Sequence, residues 1–238
     1  GNKNEANLIR ELIKNSYRES ANLSEATFKL VNQLFGNYGL LVLEPNKKNL
    51  KKLFINFFKK EITDQFSFHS TEKQINNLKE NYNKTYSPQV NPRNINLFYL
   101  LPEGRYRIEK KDNKFVIKDI DKSFSEKELI DELEKHPERF SPNVILRPLY
   151  QEVLLPNLCY IGGAAEISYW LQLKTMFEKV EVSFPLLLVR NSVLLYSKKQ
   201  ANKLKKLEIE ISDLFYSQKT LDEKKVKQAS SIDLNLEY

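Results

Sequence analysis

At 238 residues, with 41% apolar and 29% charged residues, the chain is long enough for one large domain or a core with an insertion and too apolar for global disorder. The formal charge of +7 is carried by about 30 Lys and 8 Arg, the lysines interspersed with acids; bidentate recognition of phosphate and bases favours Arg, so no nucleic-acid partner is expected. A single Cys excludes an intrachain disulfide framework and any multi-thiolate metal site.

No leading segment has a signal-peptide pattern and no apolar run approaches the ~18 residues of a membrane span, so a cytoplasmic protein without a membrane partner is expected. The start at Gly1 and a last segment that reads as an unfinished helix point to a piece of a longer chain.

Asn22 with Glu25 three residues on forms a capping box for a helix carrying Leu23, Thr27, Leu30, Val31 and Leu34, and Gly36 stands where a C′ residue belongs. Residues 39–43, Gly-Leu-Leu-Val-Leu, read as a buried strand. Pro45 suits the first turn of a helix whose face is Leu50, Leu53, Phe54, Phe57 and Phe58. Helix, buried strand and helix are the grammar of an α/β layer with a parallel sheet.

From about Thr63 the texture changes. Residues 70–84 are polar, with Ile75, Leu78 and Tyr82 in phase, and predict a weakly packed helix. Strands over 95–101, 105–109 and 115–117, separated by tight turns at 102–104 and 112–113, predict an antiparallel meander. Ser125 with Glu128 caps a helix bearing Leu129, Ile130 and Leu133, which Pro137 ends. Residues 63–140 therefore read as an insertion.

The next stretch replaces Lys and Asn by Arg, Gln, Glu, Tyr, Trp and a Gly-Gly pair. Polar groups among apolar neighbours are costly to bury unless they pair or bind something. Pro148 starts a short helix that stops at Pro156; a strand over 158–161 leads through the tight turn Gly162-Gly163 into a helix from Glu166 burying Ile167, Trp170, Leu171 and Phe177. Residues 185–189 read as another buried strand. Leu204, Leu207, Ile211 and Leu214, alternately three and four apart, mark about two heptads of a coiled-coil seam, fewer than the three or four that define one.

Here the sequence resembles a known family. Phe-Ser-Pro-Asn-Val-Ile-Leu-Arg-Pro-Leu-Tyr-Gln-Glu over 140–152 is similar to the bacillithiol biosynthesis cysteine-adding enzymes, BshC, as are Leu155-Pro156-Asn157, Tyr160 to Gly163, Glu166, Tyr169 to Lys174, and Phe184-Pro185 with Arg190-Asn191-Ser192. The resemblance extends to Leu34-Phe35-Gly36, Tyr38-Gly39-Leu40 and Arg93 to Leu100, with an insertion like that of the Bacteroidetes branch.

The resemblance implies a cysteine ligase that joins the carboxyl group of cysteine to the glucosamine amine of glucosaminyl malate. It implies an α/β fold: a Rossmann-like core related to class I aminoacyl-tRNA synthetases, with an α+β connecting-peptide insertion and the start of a C-terminal coiled coil. Core would then occupy residues 1–62 and 141–196, the insertion 63–140, and the helical region 197–238. It further implies ATP as cofactor, small-molecule substrates, and a homodimer at full length. Members of the family are roughly twice this length, with an N-terminal His-containing nucleotide signature absent here. Ala164-Ala165 stand where the family usually has a further Gly or Pro.

Amide formation from a free carboxylate needs activation and a neutral amine, and so groups for an anion, for a substrate ammonium and for proton removal. Gly162 and Gly163, between strand and helix, could bind an anion or simply turn the chain. Glu166 could hold or deprotonate the substrate amine, or stabilise its own helix terminus. Arg147 and Arg190 could clamp malate or phosphate, or pair internally with Glu152 or Glu166. Asn143, Tyr150, Gln151 and Asn157 lie beside prolines and suit ligand contacts or loop satisfaction.

Arg93, Asn94 and Asn96 read as domain-packing residues, and Trp170 as core. Cys159, in an apolar strand, reads as a small buried hydrophobe. His69 and His136 form no metal pattern, and no metal is expected. A non-catalytic nucleotide- or partner-binding module of degenerate synthetase-like fold is the alternative from another class, and a basic RNA-binding protein the third.

Overall fold

The computed structural model describes residues 3–82 and 86–229. Its contacts divide the chain into two units, Gly1–Arg190 and Asn191–Tyr238.

The first unit opens with helix α1 (Lys3–Arg18), which packs on α2 (Leu23–Phe35). Asn22 caps α2 as expected, its side chain accepting from the Glu25 amide at 3.0 Å, while Glu25 reaches back to the amide of Ala21 rather than that of Asn22. Gly36 stays right-handed and begins a 3-10 turn; the left-handed residue is Gly39, at φ 82°.

The apolar run over 39–43 forms no strand and joins no sheet, and Leu40, Leu41 and Leu43 are exposed. A strand needs a hydrogen-bonded neighbour, and none is present beside this run among the described residues. Pro45 lies in a turn ahead of α3 (Lys48–Lys52), so it does not open the helix. The single helix expected next is broken at Leu53–Phe54 before α4 (Ile55–Asp64), which turns Leu53 outward and sends Phe54 and Phe58 into the core.

Gln65, left-handed at φ 50°, separates α4 from α5 (Phe66–Asn81). That helix is well packed, not weakly: Ser67, Ser70 and Thr71 are buried beside Phe66, Ile75 and Leu78. Small residues let α5 lie close along α9 (Lys174–Lys179), a contact that a search for large apolar residues overlooks. Residues 83–84 of the expected helix lie outside the described residues.

The meander forms as expected from β1 (Leu97–Leu101), β2 (Gly104–Lys111) and β3 (Lys114–Ile117), and gains the short strands β4 (Lys122–Phe124) and β5 (Phe140–Pro142). The antiparallel order is β4-β3-β2-β1-β5. Helix α6 (Glu126–Lys135) carries the Ser125/Glu128 capping box. Leu129 and Leu133 pack with Phe58, Tyr99, Phe140 and Leu149 in one core. Burying each large side chain contributes about 1.5–3 kcal/mol.

Helix α7 (Arg147–Leu154) follows the sheet, and then strand β6 (Cys159–Gly162) leads into α8 (Ala164–Leu171). β6 pairs in parallel with β7 (Leu186–Val189), Cys159 opposite Leu186 and Gly162 opposite Val189. This two-stranded pair is the parallel α/β element. β7 is not buried, however: Leu186 and Val189 are more than 60% exposed, because neither outer face of the pair is fully covered. Trp170 and Phe177 are core as expected, but Leu171 points outward where the helix breaks before α9.

In the second unit, α10 (Lys198–Lys206) and α11 (Gln218–Ala229) flank a 3-10 turn over Ile211–Phe215. Leu204 lies on α10, Leu207 caps it, and Ile211 and Leu214 sit in the 3-10 turn. No continuous helix therefore joins the four residues of the expected seam.

Candidate active site at the ends of the parallel strands

β6 and β7 run the same way, so the chain leaves both at one end, through Gly163 and Arg190. The Arg190 amide donates to the Gly162 carbonyl at 2.8 Å, extending the ladder to the exit. The carboxyl ends of parallel strands are where α/β proteins bind ligands.

A Cβ on Gly162 would lie 2.8 Å from the Tyr160 ring and 3.2 Å from Glu166 Cβ, so this close approach requires glycine. Gly163 caps α8, and its amide donates to Glu166 Oε2 at 2.8 Å. A Cβ at Gly163 would lie 3.4 Å from both Arg190 Nε and Glu166 Oε2, which places that guanidinium and that carboxylate beside the same turn.

Glu166 is held below the usual carboxylate range. The Gly163 amide is the main cause; the Tyr160 hydroxyl and the charges of Arg190 and Arg147 add to it, and burial opposes it. The carboxylate is thus fully ionised at neutral pH and a weak base.

Arg147 begins α7, its amide donating to the Asn143 carbonyl at 2.8 Å. Its Nη1 donates to Gln151 Oε1 at 3.2 Å and its Nη2 to the Tyr169 hydroxyl on α8. Tyr160 donates to Glu166 Oε1 at 3.4 Å, and its ring stacks on the buried Trp170 at 4.2 Å. Burial first, then Tyr169 and Glu166, push the Tyr160 phenol up, so it stays protonated and can donate. Beside Arg147 and Gln151 a cleft of about 260 Å³ opens between α7 and the run over 39–43, lined by Leu41, Leu43, Pro45, Tyr150 and Leu154.

Six of the expected site residues thus come together: Arg147, Gln151, Gly162, Gly163, Glu166 and Arg190. Three are occupied elsewhere. Asn143 accepts from the Ile145 amide at 2.8 Å and donates to Asn96 Oδ1 at 2.8 Å. Tyr150 donates to the Pro45 carbonyl at 2.7 Å, and burial pushes its phenol up to about 12. Asn157 donates twice to Glu152, from its amide at 2.8 Å and from Nδ2 at 2.9 Å.

Tyr160 and Tyr169 stand at this meeting and are not among the expected site residues. Their position around the Gly-Gly turn and beside Trp170 was the available signal. Among the described residues, no group of three or more His, Cys, Asp or Glu could hold a metal ion, and no helix is long and apolar enough to cross a membrane.

Residues 1–191 match the family described as bacillithiol biosynthesis BshC, N-terminal Rossmann-like domain. The chain belongs to this family. A relative from Flavobacterium johnsoniae named "Putative cysteine ligase BshC" is 47% identical over 93% of this chain and 41% of its own length. One of the same name from Christiangramia forsetii is 45% identical over 97% of this chain and 42% of its own. One from Bacillus anthracis is 32% identical over 88% and 39%. The chain therefore spans about two fifths of the length of the relatives it matches, and its similarity is greater to the first two than to the Bacillus protein.

Proposed function

We propose that this chain supplies part of the active site of a cysteine ligase of bacillithiol synthesis, forming the amide between cysteine and the amine of glucosaminyl malate. The observation that carries this reading is the meeting of two guanidinium groups, an ionised carboxylate and two phenols at the carboxyl ends of β6 and β7. Arg147 and Arg190 suit a substrate carboxylate or a phosphate. Glu166, a weak base already ionised, suits a substrate ammonium better than proton abstraction.

ATP is the activator the reaction implies. The Gly163 amide of the Gly-Gly turn is taken by Glu166, so a phosphate here would rest on the arginines and not on that amide. When bound, ATP supplies the leaving group that activates the carboxylate; the residues of this chain hold and orient the reactants. The kinship of the core with class I aminoacyl-tRNA synthetases, the insertion over 63–140, a C-terminal helical region from 197 onward and a homodimer at full length belong to the same proposal.

The test is direct. The full-length protein, given cysteine, ATP and glucosaminyl malate, forms bacillithiol detectable by mass spectrometry. No product, together with normal thiol levels in a deletion strain, would overturn the reading.

A further inference from the structure

Arg147 and Glu166 stand on different elements, and neither forms an ion pair within 4.0 Å among the described residues. Arg147 makes no ion pair within 4.0 Å among the described residues; its two terminal nitrogens go to neutral oxygens, Gln151 Oε1 and the Tyr169 hydroxyl. A carboxylate in those places would neutralise the guanidinium. Neutral acceptors fix its plane and leave its charge for a ligand.

The backbone beneath Arg147 is fixed as well, by its bond to Asn143 and by Pro148 in the first turn of α7. The one long lever left is the side chain, and Tyr169 holds its far end. Tyr160 stands likewise to Glu166: its ring is seated on Trp170, which is 0% exposed, and its hydroxyl reaches Oε1 while the Gly163 amide holds Oε2.

We propose that Tyr169 and Tyr160 are positioning residues of the ligase site, Tyr169 aiming the guanidinium of Arg147 at the anionic group of a substrate and Tyr160 aiming the carboxylate of Glu166 at its ammonium. The inference rests on the reading given under Proposed function. It adds that the site is pre-oriented by phenols, and that losing a phenol weakens substrate binding more than turnover. Neither tyrosine touches the reacting atoms.

The experiment measures steady-state kinetics of the full-length enzyme for wild type, Tyr169→Phe, Arg147→Lys and the double variant, with thermal midpoints alongside. Tyr169→Phe should raise KM for glucosaminyl malate about tenfold, the loss of one charge-assisted hydrogen bond, with kcat within about twofold. Arg147→Lys keeps the charge but not the fork, and adding Tyr169→Phe to it should cost little more, because the partner is already gone. Should Tyr169→Phe fail to fold, Gln151→Ala, which removes the other neutral acceptor, reads the same rise in KM.

An unchanged KM, or losses that multiply in the double variant, would overturn the role of Tyr169 while leaving the ligase reading standing. For Tyr160→Phe the rise should appear in the KM of the amine-bearing substrate, and an unchanged value would overturn its role. A wild-type enzyme that makes no product would overturn the ligase reading, and this inference with it.

Discussion

Asn143 Nδ2 donates to Asn96 Oδ1 at 2.8 Å, and the Asn143 amide donates to the Asn96 carbonyl at 3.0 Å. This double link ties the approach to β1 to the turn from which Arg147 departs. Asn96 is fully buried; its amide donates to Glu61 Oε1 at 2.8 Å and its Nδ2 to Ser67 Oγ at 2.7 Å. The orientation of a site arginine thus depends on a polar network in the core.

Breaking that network should be costly. Asn143→Ala leaves the buried Ile145 amide without its acceptor, while Asn96 Oδ1 keeps the Arg93 amide, and a buried unsatisfied group costs about 1–3 kcal/mol. Urea unfolding should show a loss of that size, with a lower kcat/KM from the loosened Arg147. Unchanged stability would mean that the link is not used.

Glu61 makes the network sensitive to pH. Burial pushes its carboxyl up to about 7, against the hydrogen bonds from Asn96 and Ser67 that lower it. A carboxyl raised on folding favours the folded state below its unfolded pKa and loses that contribution as pH rises through the folded value. Stability should therefore fall between about pH 4.5 and pH 7, by up to roughly 3 kcal/mol for a shift of this size. Denaturation midpoints across that range would show the slope, and Glu61→Gln should flatten it.

Lys51 is buried with its ammonium 5.0 Å from the centre of the Tyr150 ring, and burial, then Arg105, push its pKa down to about 8. A base lowered on folding contributes most above its unfolded pKa and loses that contribution as pH falls through the folded one. Stability from this group should rise from pH 8 towards 10.5. Lys51→Met keeps the packing and removes the charge, so at pH 7 it should stabilise by about 1–3 kcal/mol. A lower melting temperature for the variant would contradict this.

Glu166 is the test of chemical role. As an ammonium-binding carboxylate, already ionised, it should give Glu166→Gln a KM for the amine substrate at least about tenfold higher, with the pH profile of kcat unchanged. A lost acidic limb in that profile would instead make Glu166 the general base.

Local chemistry was legible where it acts over a few residues. Ser125 with Glu128 announced α6, the turns at 102–104 and 112–113 announced the hairpins, and Gly162-Gly163 before Glu166 announced the strand-to-helix exit. What depends on distant partners was not. The run over 39–43 has the apolar character of a strand but no neighbour to pair with, and β5 is three residues that become a strand only against β1.

Within the site the same division holds. Glu166, Arg147 and Arg190 stood out as charges in an apolar stretch. Tyr160 and Tyr169 gave no such signal, because a phenol declares itself polar only through its partner. Asn143, Tyr150 and Asn157 have the right atoms, but those atoms are taken by Asn96, Pro45 and Glu152.

The most direct measurement is bacillithiol formation by the full-length enzyme with Arg147→Ala and, separately, Arg190→Ala, each checked for folding by its melting temperature. If the carboxyl ends of β6 and β7 are the site, the wild type makes product and each variant loses about 100-fold or more in kcat/KM while remaining folded. Undiminished rates in both would place the chemistry elsewhere and contradict the account.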